Sequence, residues 1–260
     1  MSKKSKLILS PIIFIPTLYN ATTQEELVKK IYLYDDNIGS VEYVQHMGED
    51  ITVVNSARVS FGKEKKEIDG RDRKLIQYLC RNKHTSTLEH NVVTFRFLVP
   101  LFVRSQHHRH RTWSYNEISR RYTDIDMKFY LPKNFRTQHK SNRQASNADE
   151  LVDPFAYPSV STMPVSSLLE YKTSECLHAY ETMIEAGVCR EQARMILPQN
   201  MYTEYYGTCN LNNLLKFIGL RSHAGAQWEI QRVAEACLEI ATLLWPEAVG
   251  AYRENVVSQS

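Results

Sequence analysis

The chain has 260 residues, 43% hydrophobic and 23% charged, with a formal net charge of +3. That supplies apolar side chain for one full core and leaves little room for a second independent domain. So mild a charge excludes a surface that binds nucleic acid throughout, and small anions are the expected partners.

The opening MSKKSK, followed by LILSPIIFIPTLY, has the basic-then-apolar order of a targeting segment, but Pro11 and Pro16 interrupt it and no small-x-small cleavage site follows. Residues 1–41 are therefore expected to form an arm packed on the body. Val41 to His46 reads as a short strand. A helical stripe follows Asp69 at Leu75, Ile76, Leu79 and Cys80. Asn91 to Val99 is a clearer strand, because Val93, Phe95, Phe97 and Val99 alternate with Thr94, Arg96 and Leu98. Pro100 is placed to open a helix whose polar end carries Gln106, Arg109 and His110.

Residues 134–167 are rich in Ser, Asn, Gln and Pro without a sustained period, and a long surface loop or partly disordered insertion is expected there. Leu169, Cys176, Leu177, Tyr180, Met183 and Ile184 mark a second helix, ended by Gly187. Arg194 is expected on a short helix stopped by Pro198, nearly buried beside Ala193, Ile196 and Leu197; a buried guanidinium needs an anionic partner. The most regular helix runs through Ile230, Val233, Ala234, Cys237, Leu238, Ala241 and Leu244. The fold class that results is α/β in the loose sense (α+β), a single domain with a mixed sheet packed against long helices.

Cys80, Cys176, Cys189, Cys209 and Cys237 stand far apart and form no CxxC pair, which fits a reducing, cytoplasmic compartment. No apolar stretch approaches the ~20 residues of a membrane helix. His107, His108 and His110 invite a metal, yet successive positions point to different sides of a helix and no Cys or Asp stands at ligand spacing. No metal is expected.

The densest chemistry lies between Arg104 and Arg121, where five arginines and three histidines meet one carboxylate, Glu117, and no lysine. Arginine offers a planar, permanently charged fork that grips phosphate or a flat carbonyl edge at two points. A nucleic-acid-binding module would use lysine as freely. Ser119 has only arginines alongside, without the base a nucleophilic serine requires, so it suits phosphate binding.

Within this stretch RHRTWSYNEISRR fills every fixed position of RHRxxSxNExSxR, and on it the chain resembles the flavin-dependent thymidylate synthases. ARVSF (Ala57 to Phe61), RDRKLIQYL, His84 to His90, REQARMILP (Arg190 to Pro198) and Leu220 to Gln231 resemble the other blocks of that family in the same order, over about residues 42–250. The resemblance implies a domain at 42–255, a homotetramer with sites assembled from several subunits, and FAD as cofactor. It also implies conversion of dUMP to dTMP, with NADPH reducing the flavin and the folate 5,10-methylenetetrahydrofolate giving the carbon.

By the same resemblance dUMP is held by Gln106, Arg109, Glu117, Ile118, Ser119, Arg120, Arg121, Arg194 and Arg221. Arg221 is the catalytic residue, its guanidinium against the pyrimidine raising electron density at C5, so that no protein nucleophile is needed. FAD falls to Ser60, His84, Ser86, Arg109, His110, Arg111, Glu117, Asn210, Asn212 and Lys216. Glu117 would lie between flavin and nucleotide, or simply neutralise Arg109 or Arg121. Three positions depart from the pattern: Asn212 stands where arginine is common, Lys216 where asparagine is, and Gly225 where histidine is usual, with His223 two residues earlier.

Overall fold

The computed structural model describes residues 30–156 and 162–255. Most of the expected amino-terminal arm lies outside the described residues. The chain enters on β1 (Lys30–Tyr32) and β2 (Ser40–Met47), passes through α1 (Asp50–Arg58) and α2 (Gly70–Arg81), and returns on β3 (Val92–Pro100). Next come α3 (Leu101–His107) and β4 (Ser114–Glu117). Two hairpins follow, β5 (Phe135–Gln138) with β6 (Ser146–Val152), and β7 (Phe155–Ala156) with β8 (Met163–Pro164). The remainder is α4 (Val165–Glu185), α5 (Arg190–Ala193), β9 (Tyr202–Asn210), α6 (Leu211–Arg221), α7 (Trp228–Leu244) and α8 (Pro246–Asn255).

Five strands form the central sheet in the order β1-β2-β3-β9-β4, each pairing antiparallel. The alternation read in β3 is a difference of faces: Val93, Phe95, Phe97 and Val99 are wholly buried, whereas Arg96 and Leu98 are only half-buried. The apolar stripe of α7 closes over β2, α3 and α6, and α8 packs on α2. The α+β class is the expected one, and the sheet within it is antiparallel throughout. Trp245, fully buried, donates its indole N–H to the Gly48 carbonyl at 2.9 Å. Buried Asp50 accepts the first amides of α8, from Glu247 and Ala248, at 2.9 Å each.

Helix ends follow from local chemistry. Asp69 caps α2 by accepting the amides of Arg71 and Asp72. After α4, Gly187 takes a left-handed φ of 89° and donates to Ile184, while Val188 donates to Met183. That is the reciprocal pair of bonds closing a helix on glycine. Lys83 closes α2 in the same way with φ 57°, bonded to Cys80, and His84 to Leu79. A side chain in this region costs about 1 kcal/mol, and here the turn directs Lys83 and His84 into a groove.

The structure corrects three expectations. Residues 134–167 carry two hairpins rather than a bare loop, because their polar side chains build the structure: Asn147 donates to Thr137 Oγ1 at 2.8 Å, and Asp153 caps α4 through the Ser166 amide at 2.9 Å. Helix α3 stops at His107, so Arg109 and His110 lie in the turn beyond it. Arg194 is exposed. Ala193 and Leu197 alone turn inward from that stretch, and the short 3-10 turn Arg194–Ile196 faces outward, with Ile196 41% exposed.

Candidate active site

Strand β4 and the turn after it form one wall of a groove of about 500 Å³, with α3, α5 and the start of β9 around it. Glu117, Ile118, Ser119 and Arg120 line it on one side, Arg194 and Glu191 on the other. Glu117 accepts the Thr203 hydroxyl at 2.6 Å, and Arg104 Nε lies 3.1 Å from the same oxygen without an aligned N–H. The partner of Glu117 is therefore Arg104, not Arg109 or Arg121. Arg121 instead reaches Glu191 at 3.7 Å. Ile118 donates its amide to the Glu204 carbonyl at 2.9 Å, which continues the strand pairing by one residue. Ser119 Oγ accepts the Arg121 amide at 3.3 Å, so the hydroxyl hydrogen is free to reach an anion in the groove.

Arg120 is buried, and one of its terminal nitrogens donates to the Ile125 carbonyl at 2.8 Å. Its guanidinium thus helps hold the 119–126 turn. Arg109 and Arg111 are exposed in the turn after α3.

A second cluster forms at the end of α6. Arg221 Nε donates to His110 Nε2 at 3.1 Å, and a terminal nitrogen approaches the Gln106 carbonyl at 3.4 Å. Burial, then the Arg221 charge, push the His110 imidazole down to about 4. Being neutral near pH 7, it presents a lone pair to the guanidinium. Burial also lowers the Arg221 pKa from its ordinary value, but the group keeps its charge.

His107 belongs to the core. It is fully buried, bonded to the Tyr205 hydroxyl at 2.8 Å, and its ring centroid lies 4.6 Å from those of Trp113 and Phe217. Burial holds its pKa well below 6.5.

A pH dependence follows. Below about 6.5 the unfolded chain binds protons at positions 107 and 110 that the folded chain refuses, so stability is full above that pH and falls as pH drops toward 4. Urea midpoints at pH 7 and 5 should show this loss, and His110→Asn should make the decline shallower.

The third cluster is a groove of about 520 Å³ lined by Ser56, Ser60, Lys83, His84, Thr85 and Ser86. It adjoins an apolar cavity of about 150 Å³ between Leu79, Leu88, Leu215 and Tyr252, with Lys83, Asn212 and Lys216 at its edge. Hydroxyls and ammonium groups beside an apolar slot suit a long molecule with an anionic middle and flat ends, and FAD fits that description. Asn210 caps α6 by accepting the Asn213 amide, while buried Asn212 donates to Glu89 at 2.8 Å.

Of the sequence-predicted residues, the structure brings Ser60, His84 and Ser86 together, with Asn212 and Lys216 next door. It joins Glu117, Ser119 and Arg194 in one groove, and Gln106, His110 and Arg221 in another cluster. Within one chain the arginines fall into separate groups.

The family model described as "Thymidylate synthase complementing protein" matches residues 42–247. The flavin-dependent thymidylate synthase of Thermus thermophilus is 42% identical over 219 residues, 84% of this chain and 77% of that protein. The Thermotoga neapolitana enzyme of the same name is 39% identical over 202 residues, 78% and 85% of the two chains. This chain belongs to the flavin-dependent thymidylate synthase family. Among solved structures, the UMP/dUMP methylase PolB of Streptomyces cacaoi with 5-Br dUMP bound is 30% identical, with a TM-score of 0.71, covering 86% of this chain and 97% of that one.

Membership gives weight to the residues in which the chain departs from the flavin-dependent thymidylate synthase pattern. Asn212 spends its amide on Glu89, and Lys216 is exposed beside the apolar cavity. At Gly225 a Cβ would come within 3.2 Å of His223 Nδ1 and 3.5 Å of Asn142, at the tip of the β5–β6 hairpin. The close neighbour of that position is thus His223 itself, with the hairpin tip at ordinary van der Waals distance.

Sequence reasoning missed Arg104, Thr203 and Glu229. Buried Glu229 pairs with Arg136 of β5, and the Arg136 and Arg232 guanidinium groups lie 4.9 and 5.4 Å from the Trp228 ring centroid. Glu229 sits in the AQWEIQ block, which was the one signal that pointed to it. Among the described residues no helix is long and apolar enough to cross a membrane.

Proposed function

We propose that this chain is a flavin-dependent thymidylate synthase that converts dUMP to dTMP, taking its carbon from 5,10-methylenetetrahydrofolate and its reducing equivalents from NADPH through FAD. The observation that carries the reading is the RHRTWSYNEISRR run, which supplies a phosphate-binding groove at one end and the His110–Arg221 contact at the other. Ser119 and Arg194 would hold the nucleotide phosphate. Arg221, fixed by His110 and the Gln106 carbonyl, would donate to the uracil ring and draw negative charge onto it, which makes C5 nucleophilic. Glu117 is kept in place by Arg104 and Thr203 at the junction of β4 with the groove.

No cysteine nucleophile is required. Cys80, Cys209 and Cys237 are buried and burial raises each thiol pKa, so their thiolates are scarce near neutral pH. Ser60, His84, Ser86, Asn210, Asn212 and Lys216 would hold FAD. When bound, FAD supplies the hydride that completes the methyl group. The folate leaves at the tetrahydro level.

We assign residues 42–255 to this domain and propose a cytoplasmic homotetramer. Two observations support assembly. The nucleotide groove, the Arg221 cluster and the cofactor groove are separate in one chain. Val59, Phe61 and Met195, 71%, 78% and 75% exposed, are large apolar side chains beside those grooves, surface of the kind a second copy covers.

The test is direct. Purified protein incubated with FAD, NADPH, dUMP and methylenetetrahydrofolate should form dTMP; a yellow protein that forms none would sink the reading. Ser119→Ala should raise KM for dUMP by about tenfold, one charge-assisted hydrogen bond, with kcat little changed. Complete loss of turnover at unchanged binding would instead restore a nucleophilic serine.

A further inference from the structure

A line of side chains connects buried Glu229 to Gln106, and its chemistry dictates which way each amide points. Glu229 is ion-paired with Arg136, and the same carboxylate oxygen accepts the Tyr130 hydroxyl at 3.4 Å. Its other oxygen accepts from Gln227 Nε2 at 2.9 Å. A carboxylate only accepts, so the NH₂ of Gln227 must face it and Gln227 Oε1 must face away. Gln106 meets that oxygen and must turn its own NH₂ toward it. The amide orientations therefore follow from the charge at Glu229. What remains is Gln106 Oε1, an acceptor without a hydrogen-bond partner among the described residues, on the residue whose backbone carbonyl contacts Arg221.

We propose that Glu229 is a positioning residue for base selection: through Gln227 it locks Gln106 as an acceptor beside the donors of Arg221, so that the site takes uracil and refuses cytosine. The inference rests on the dUMP reading of the site. Uracil offers N3–H as a donor next to carbonyl acceptors, which matches one acceptor set beside a guanidinium. Cytosine has a bare N3 and would face Gln106 Oε1 lone pair to lone pair. Sites built to pair a ligand hydrogen reject analogues that lack it, because the buried group is left unpaired.

Two substitutions read the relay differently. In Glu229→Gln the carbonyl oxygen stays with Arg136 and the new NH₂ faces Gln227. Both following amides then invert, and Gln106 shows the ligand a donor. Gln227→Leu cuts the relay and leaves Gln106 free to turn either way.

Binding of dUMP and dCMP to the FAD-loaded protein should be measured by calorimetry, with flavin absorbance and melting temperature as checks on cofactor and fold. The native chain should prefer dUMP by at least about a hundredfold. Gln227→Leu should narrow that ratio about tenfold, and Glu229→Gln should narrow it further, toward dCMP. A folded, flavin-loaded variant of either kind with the native ratio overturns the relay. If Glu229→Gln does not fold, Gln227→Leu alone decides. Failure of the native chain to bind dUMP would sink the proposed function, whereas equal binding of dUMP and dCMP would sink the relay alone.

Discussion

Arg221→Ala should leave a folded, flavin-binding protein that makes dTMP about 10²–10³-fold more slowly, the usual loss when one preorganised donor to a developing charge is removed. Arg221 is the last residue of α6 and is half-buried against His110 and the Gln106 carbonyl. Asn212, near the start of the same helix, and Lys216, at its middle, edge the apolar cavity proposed for FAD. At 1.5 Å per residue, Lys216 lies about 7.5 Å and Asn212 about 13.5 Å from Arg221 along the axis, so truncation at the end of the helix should not disturb FAD bound along its first half. Arg221→Lys should recover little. An ammonium on a flexible stem cannot hold His110 and Gln106 while donating to a pyrimidine as a planar fork does. Steady-state dTMP formation, read beside flavin absorbance, checks both variants, and normal turnover in Arg221→Ala would remove Arg221 from the chemistry.

The parts legible in the sequence were those where one local rule acts alone. Strand β3 is bounded by polar Asn91 and helix-opening Pro100, and its alternation has one reading. Helix α7 keeps its apolar stripe through its whole length, and Gly187 ends α4 because the next φ must be positive.

What escaped was set by distant partners. Glu117 is held by Thr203, 86 positions later, and no rule of spacing links them. The β5–β6 hairpin looks like loop by composition, yet Arg136 anchors it on Glu229, 93 positions away. Arg194 looked buried because Ala193, Ile196 and Leu197 suggested an apolar face. The turn is too short to carry such a face, and the arginine faces the groove instead. His107 looked like one of three equivalent imidazoles. Its place in the core depends on Phe97, Tyr205 and Phe217, brought to it by the sheet and α6.

That core contact sets the largest expected loss of stability. Phe97→Ala should destabilise the fold by about 3–5 kcal/mol, the range for emptying a buried aromatic site, against a total of roughly 5–15 kcal/mol for a typical domain. The Phe97 ring is fully buried, stacked at 5.1 Å on Tyr205 and edge-on at 4.7 Å to His107. Across the sheet, Gly207 admits the ring: a Cβ there would lie 2.8 Å from Phe97 Cε2. Tyr205 and His107, tied to each other by a 2.8 Å hydrogen bond, are held back from collapsing into the space. Urea unfolding should therefore show a lower midpoint with an unchanged slope, the mark of lost packing rather than an altered unfolded state. Because His107 ends the helix that carries Gln106, the cavity should also loosen the Arg221 cluster. Adding dUMP at about 100 times its dissociation constant should return about 2.7 kcal/mol to the variant, since a ligand bound only by the native state adds stability by mass action. A variant that melts like the native chain would mean that β3 is not the spine on which α3 and its site depend.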